Sequence, residues 1–176
     1  MTLQTLSLKK GRRVEAAAAR LLPIATTAVA AILSVLPVPI PGYRGITPAF
    51  TLMAVFQWTV YRPDLLPPAA LFLIGIGEDL ITGAPLGTTA LLLLLARTLV
   101  LGVRRFFGRR PFLFVWAGFI ALSGAAMVFL WALNSLFDWA LLEFHGTVFR
   151  LALTVALFPM ASFLLGRTQR ALLPAS

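Results

Sequence analysis

Cysteine is absent from the 176 residues, and histidine occurs once. The first absence excludes a disulfide framework and thiolate metal sites, and the second leaves His145 without a companion to share a metal ion. Charge is scarce as well: Asp, Glu, Lys and Arg make up 12% of the chain, and only 6 residues are acidic. A soluble domain carries about a quarter charged residues, so no soluble catalytic domain is concealed here. No nucleophile–base pair, phosphate-cradling glycine loop or metal-ligand cluster can be assembled from the sequence. Neither an enzyme nor a bound cofactor is expected.

What is present in excess is apolar surface. The chain is 60% hydrophobic with a mean hydropathy of +0.93. That composition implies an all-α polytopic membrane protein, and the length leaves room for about six spans of roughly 20 residues. The net charge of +9 comes from 15 Lys/Arg. These cluster at the ends of apolar segments, as topology determinants do, and so do not point to nucleic acid.

Residues 1–14 carry Lys9, Lys10, Arg12 and Arg13 and read as a basic cytoplasmic tail. Residues 15–166 read as one transmembrane bundle, with spans at 15–36, 46–61, 65–82, 88–103, 112–137 and 147–166, and 167–176 as a second cytoplasmic tail. A cleaved signal peptide ending at Ala28-Val29-Ala30 is the rival for the first span. However, the apolar run continues through Ile32, Leu33, Val35 and Leu36, while Arg20 and Pro23 interrupt its earlier part. Pro37, Pro39 and Pro41 then break the helix. Thr47-Pro48 reads as the N-cap and first position of the second span, which ends on Trp58 and Tyr61 at the inner interface, a re-entrant hairpin being the alternative for so short a stretch. Asp64 reads as the cap of the third span, with Pro67 and Pro68 in its first turn, and Pro159 as a kink in the sixth. Six spans put both termini in the cytoplasm, together with Arg62, Arg104, Arg105, Arg109, Arg110, Arg167 and Arg170, and leave only Arg44 in the outer loops. The basic loop Arg104, Arg105, Arg109 and Arg110, around Phe106 and Phe107, suits anionic lipid headgroups or a cytoplasmic partner.

The unusual stretch is Gly75-Ile76-Gly77-Glu78-Asp79-Leu80-Ile81-Thr82-Gly83-Ala84-Pro85-Leu86-Gly87. A carboxylate at mid-membrane costs about 2.5–3.5 kcal/mol on insertion scales, so two adjacent ones need partners. Gly75, Asp79 and Gly83 recur every fourth residue and share a helix face, which lets a neighbouring helix approach the acid closely. Glu78 lies on the apolar strip of Leu71, Ile74 and Ile81, in a helix–helix groove or at the lipid side. Asp79 then has two candidate roles: pairing with Arg150, which lies at a matching depth with Thr154 one turn deeper, or capping the turn that follows through its backbone N–H groups. Arg97 is expected to extend to the cytoplasmic side. Ala117, Ala121 and Ala125 form a row suited to helix packing, inside the bundle or against a partner.

Arg62-Pro63-Asp64, the run from Phe72 to Gly83, and Pro85-Leu86-Gly87 together resemble the rod shape-determining protein MreD family. Its G-x-x-x-D-x-x-x-G-x-x-x-G pattern is met by Gly75, Asp79, Gly83 and Gly87. The resemblance implies a non-enzymatic scaffold of bacterial cell elongation and lateral peptidoglycan synthesis in the cytoplasmic (inner) membrane. The implied partners are the bitopic protein MreC and, indirectly, MreB filaments, the polymerase RodA and its transpeptidase. It also implies a bundle similar to the substrate-binding subunits of energy-coupling-factor transporters. A vitamin-like substrate-binding transport subunit is the alternative function.

Overall fold

The computed structural model describes residues 21–36, 47–107, 111–138 and 144–172. Among these there are six α-helices and no strands: α1 (Leu21–Val35), α2 (Phe50–Tyr61), α3 (Pro68–Thr82), α4 (Thr88–Val103), α5 (Phe112–Asp138) and α6 (Phe144–Leu172). Short 3-10 turns at Pro63–Leu65 and Arg104–Phe106 join α2 to α3 and follow α4. Two stretches are long and apolar enough to cross a membrane, Phe112–Leu133 in α5 and Val148–Thr168 in α6. The expected N-terminal tail, the proline-rich loop and the second half of the basic loop (Arg109 and Arg110) lie outside the described residues, whereas the tail expected at 167–176 is helical as far as Leu172, as the end of α6.

The bundle is built around α2. Its sequence, FTLMAVFQWTVY, has no polar face, and every residue from Thr51 to Val60 is buried. A helix that is apolar all round has to be surrounded, and α2 packs against α4, α5 and α6. Being sheathed in protein, it can be only 12 residues long. Phe56 anchors the core, meeting the rings of Phe107, Phe119 and Phe158 edge-on at 6.1, 5.4 and 5.6 Å. Phe119 and Phe158 stack at 4.0 Å and lock α5 to α6.

The tightest helix pair is α3 and α4. A Cβ added at Gly75 would stand 2.4 Å from the Ala90 Cα, so only glycine permits this approach. The expected kink residue has a counterpart in packing. Pro159 cannot donate to the carbonyl four residues back, and that carbonyl, Val155 O, accepts instead from Trp116 Nε1 of α5 at 3.2 Å.

Several expectations are corrected. The cap of α2 is Ala49, not Thr47, and the helix starts at Phe50. Asp64 sits inside the 3-10 turn and does not cap α3, whose first residue is Pro68. Trp58 is not an interfacial anchor: it is fully buried and donates from Nε1 to Thr26 Oγ1 at 2.9 Å. Ala117, Ala121 and Ala125 are exposed, whereas Val115, Phe119, Leu122 and Ala126 form the buried stripe of α5. The alanine row therefore does not pack inside the bundle.

Candidate functional site

At one end of the bundle α1, α3 and α5 finish and α2, α4 and α6 begin, so three helix N-termini present amides that lack intrahelical partners. Neither α2 nor α4 carries a capping side chain of its own, since their N-caps are Ala49 and Gly87. Both borrow acceptors from neighbouring helices.

For α4 the donor helix is α3. Asp79 is fully buried, and its carboxylate accepts from Gly87 N at 2.8 Å and from Thr89 N at 3.0 Å. An anion at a helix N-terminus also meets the positive end of the helix dipole. The turn between the helices depends on Gly83 and Gly87, with φ of 71° and 95°, a left-handed backbone that favours glycine. Thr88 N donates to Pro85 O at 3.2 Å and closes the turn. Gly75, Asp79, Gly83, Pro85 and Gly87 thus form one hairpin lock: one close approach, one borrowed cap and one tight turn.

For α2 the acceptors are hydroxyls. Thr51 N donates to Ser34 Oγ of α1 at 3.1 Å, and Ala49 N donates to Thr154 Oγ1 of α6 at 3.2 Å. Thr51 Oγ1 donates to Glu78 Oε2 of α3 at 2.9 Å. A hydroxyl has one proton, so in the 3.1 Å contact between the Ser34 and Thr51 hydroxyls it is Ser34 that donates. Ser34, Thr51 and Glu78 therefore form a directed chain across α1, α2 and α3. Glu78 also lines a groove of about 160 Å³ with Ala28, Ile32, Ile74 and Ile81, which makes it a helix–helix residue.

The expected Asp79–Arg150 pair is not formed. The turn amides take both oxygens of Asp79. Arg150 is half-buried, and its Nε is buried without a hydrogen-bond partner.

At the opposite end Arg97 does not simply extend outward. Its Nε donates to Leu66 O at 3.2 Å and its Nη2 to Pro63 O at 3.4 Å, so it fixes the turn between α2 and α3. Arg104 and Arg105 are exposed, and the Arg105 guanidinium lies 5.1 Å from the Phe106 ring centroid. Serine and threonine caps were not legible as a set, because each serves a helix other than its own. The signal available for Ser34 was its position one residue before the end of α1, whereas Thr154, ten residues inside α6, offered none.

Among the described residues no group of three or more His, Cys, Asp or Glu is placed to hold a metal ion. The model of a family described as rod shape-determining protein MreD matches residues 16–167. No curated protein and no solved structure matches the chain.

Proposed function

The chain belongs to the MreD family of rod shape-determining proteins, and from that premise we propose that it is a non-enzymatic, multi-pass scaffold of cell elongation in the bacterial inner membrane, acting with a bitopic MreC-like protein. The observation that carries the reading is the family match, which extends over residues 16–167 and so takes in all the described helices up to the last turn of α6. Its polar chemistry supports a structural part. The buried acid, Asp79, and the hydroxyls of Ser34 and Thr154 accept from the chain's own backbone amides. What the bundle offers outward is helix surface, including the exposed Ala117, Ala121 and Ala125 row and the exposed Arg104 and Arg105.

The test is complementation in a rod-shaped bacterium depleted of its own MreD. Expression of this chain should restore rod shape, and affinity capture should recover the bitopic partner without a small molecule. Round cells despite normal protein levels in the membrane would overturn the scaffold role. Saturable uptake of a small solute would favour the transport alternative.

A further inference from the structure

At the arginine-bearing end of the bundle, α2, α5 and α6 enclose a cavity of about 460 Å³. We propose that this cavity binds an uncharged lipid of the diacylglycerol type, whose hydroxyl and ester oxygens accept hydrogen bonds from the Gln57 amide.

The floor of the cavity is polar. Gln57, 3% exposed, and Ser162, 8% exposed, both line it. Ser162 Oγ donates to Gln57 Oε1 at 3.1 Å. The amide oxygen is thereby taken, and the two N–H groups on Nε2 are left without a partner among the described residues. Buried donors are normally paired, and the space beside these has room for an acceptor. The walls are aromatic. Phe112, the first residue of α5, is held by stacking on the buried Phe158 at 6.3 Å. Tyr61 and Phe163 complete a rim that is exposed on the bundle surface, and Gly166 has no side chain to close the mouth. An apolar wall around a few convergent polar groups is the usual form of a ligand site, and the volume is in the usual range.

Charge and depth select the ligand. None of the lining residues is charged, so the cavity offers a phosphate no counter-charge, and an unpaired charge is costly to bury. Gln57 and Ser162 each precede an arginine, Arg62 and Arg167, by five residues, about 7–8 Å along the helix. Such arginines mark the headgroup level, and the headgroup zone of one leaflet is only about 5–7 Å deep. The donors therefore lie beneath a phospholipid headgroup, at a depth that costs an uncharged glycerol head far less than a charged one. A neutral glycerolipid fits both conditions.

The experiment is photo-labelling of the full chain in phosphatidylcholine nanodiscs with a diazirine-bearing diacylglycerol. Wild type should be labelled saturably between Pro159 and Gly166 or at Tyr61. Unlabelled dioctanoylglycerol should compete, and phosphatidylglycerol should compete at least about tenfold more weakly. Gln57→Leu keeps an apolar side chain in the sheathed α2 and removes the donors, so it should reduce labelling by about tenfold. Gly166→Leu, which fills the mouth and leaves the Gln57–Ser162 bond in place, should also block labelling, and it decides the matter if Gln57→Leu fails to fold. Labelling that does not saturate, or that both variants leave unchanged, would reduce Gln57 to a link between α2 and α6 and overturn the proposal. Equal competition by phosphatidylglycerol would overturn it too. Complementation tests the scaffold role and labelling tests this site, so either can fail alone.

Discussion

Asp79 is fully buried, and its two oxygens accept backbone N–H groups from Gly87 and Thr89. Asp79→Ala removes a charged acceptor and strands both amides, so it should lower the stability of the purified protein by about 2–4 kcal/mol. Asp79→Asn should recover only part of this, because one side of the amide donates where an acceptor is required. With both oxygens of Asp79 taken by the turn amides, the effects of Asp79→Ala and Arg150→Ala should add to within about 0.5 kcal/mol. A coupling well above that value in thermal unfolding would restore the pair that the structure dissolves. The glycine and acid spacing was readable because periodicity places residues on a face and turns demand particular residue types. The choice between cap and ion pair was not, since both place a buried carboxylate near donors at the same depth. Only the path of the Gly83–Gly87 turn decides it, by folding two amides back over Asp79.

Helix ends and helix interiors are stabilised across elements. Val155 O, released by Pro159, accepts from Trp116 of α5, and a buried carbonyl left unpaired costs about 1–3 kcal/mol. Trp116→Phe should therefore lower the unfolding temperature. In a Pro159→Ala background the amide at 159 returns to Val155 O, and the same Trp116→Phe change should do less harm. Equal losses in both backgrounds would show that Trp116 matters only as bulk. The faces of α5 give a second contrast. Ala121→Leu, on the exposed side, should change stability by no more than about 0.5 kcal/mol, whereas Ala126→Leu, at a position 5% exposed, should overpack the core and cost about 1–3 kcal/mol. If Ala121→Leu also leaves recovery of the bitopic partner intact, the alanine row is not its docking face. Helix starts for α3, α4, α5 and α6 lie within three residues of those expected, but α6 continues six residues beyond the expected end at 166. The role of α2 was not. Its shortness left a re-entrant hairpin as the alternative to a span, yet a helix enclosed by its neighbours has no hydrocarbon thickness to match, and this enclosure is a property of the other helices.

At the scale of the whole molecule the two ends of the bundle differ in chemistry. One end gathers Ser34, Thr51, Glu78, Asp79, Arg150 and Thr154, while the other gathers Arg62, Arg97, Arg104, Arg105 and Arg167. Such a division orients a membrane protein with its arginine end inward, so the turn between α3 and α4 should face outward and the 3-10 turn after α4 should face the cytoplasm. The absence of native cysteine makes this directly measurable, because any thiol introduced is the only one. Leu86, 67% exposed in the first turn, and Phe106, 59% exposed in the second, are suitable positions. Neither makes a hydrogen bond through its side chain, so the fold should tolerate the change. In intact spheroplasts a membrane-impermeant maleimide should label Leu86→Cys and spare Phe106→Cys, and in inverted vesicles the pattern should reverse. Labelling of both from one side would mean that α4 does not cross the bilayer. That result would remove the six-span topology while leaving the contacts within the bundle as they stand.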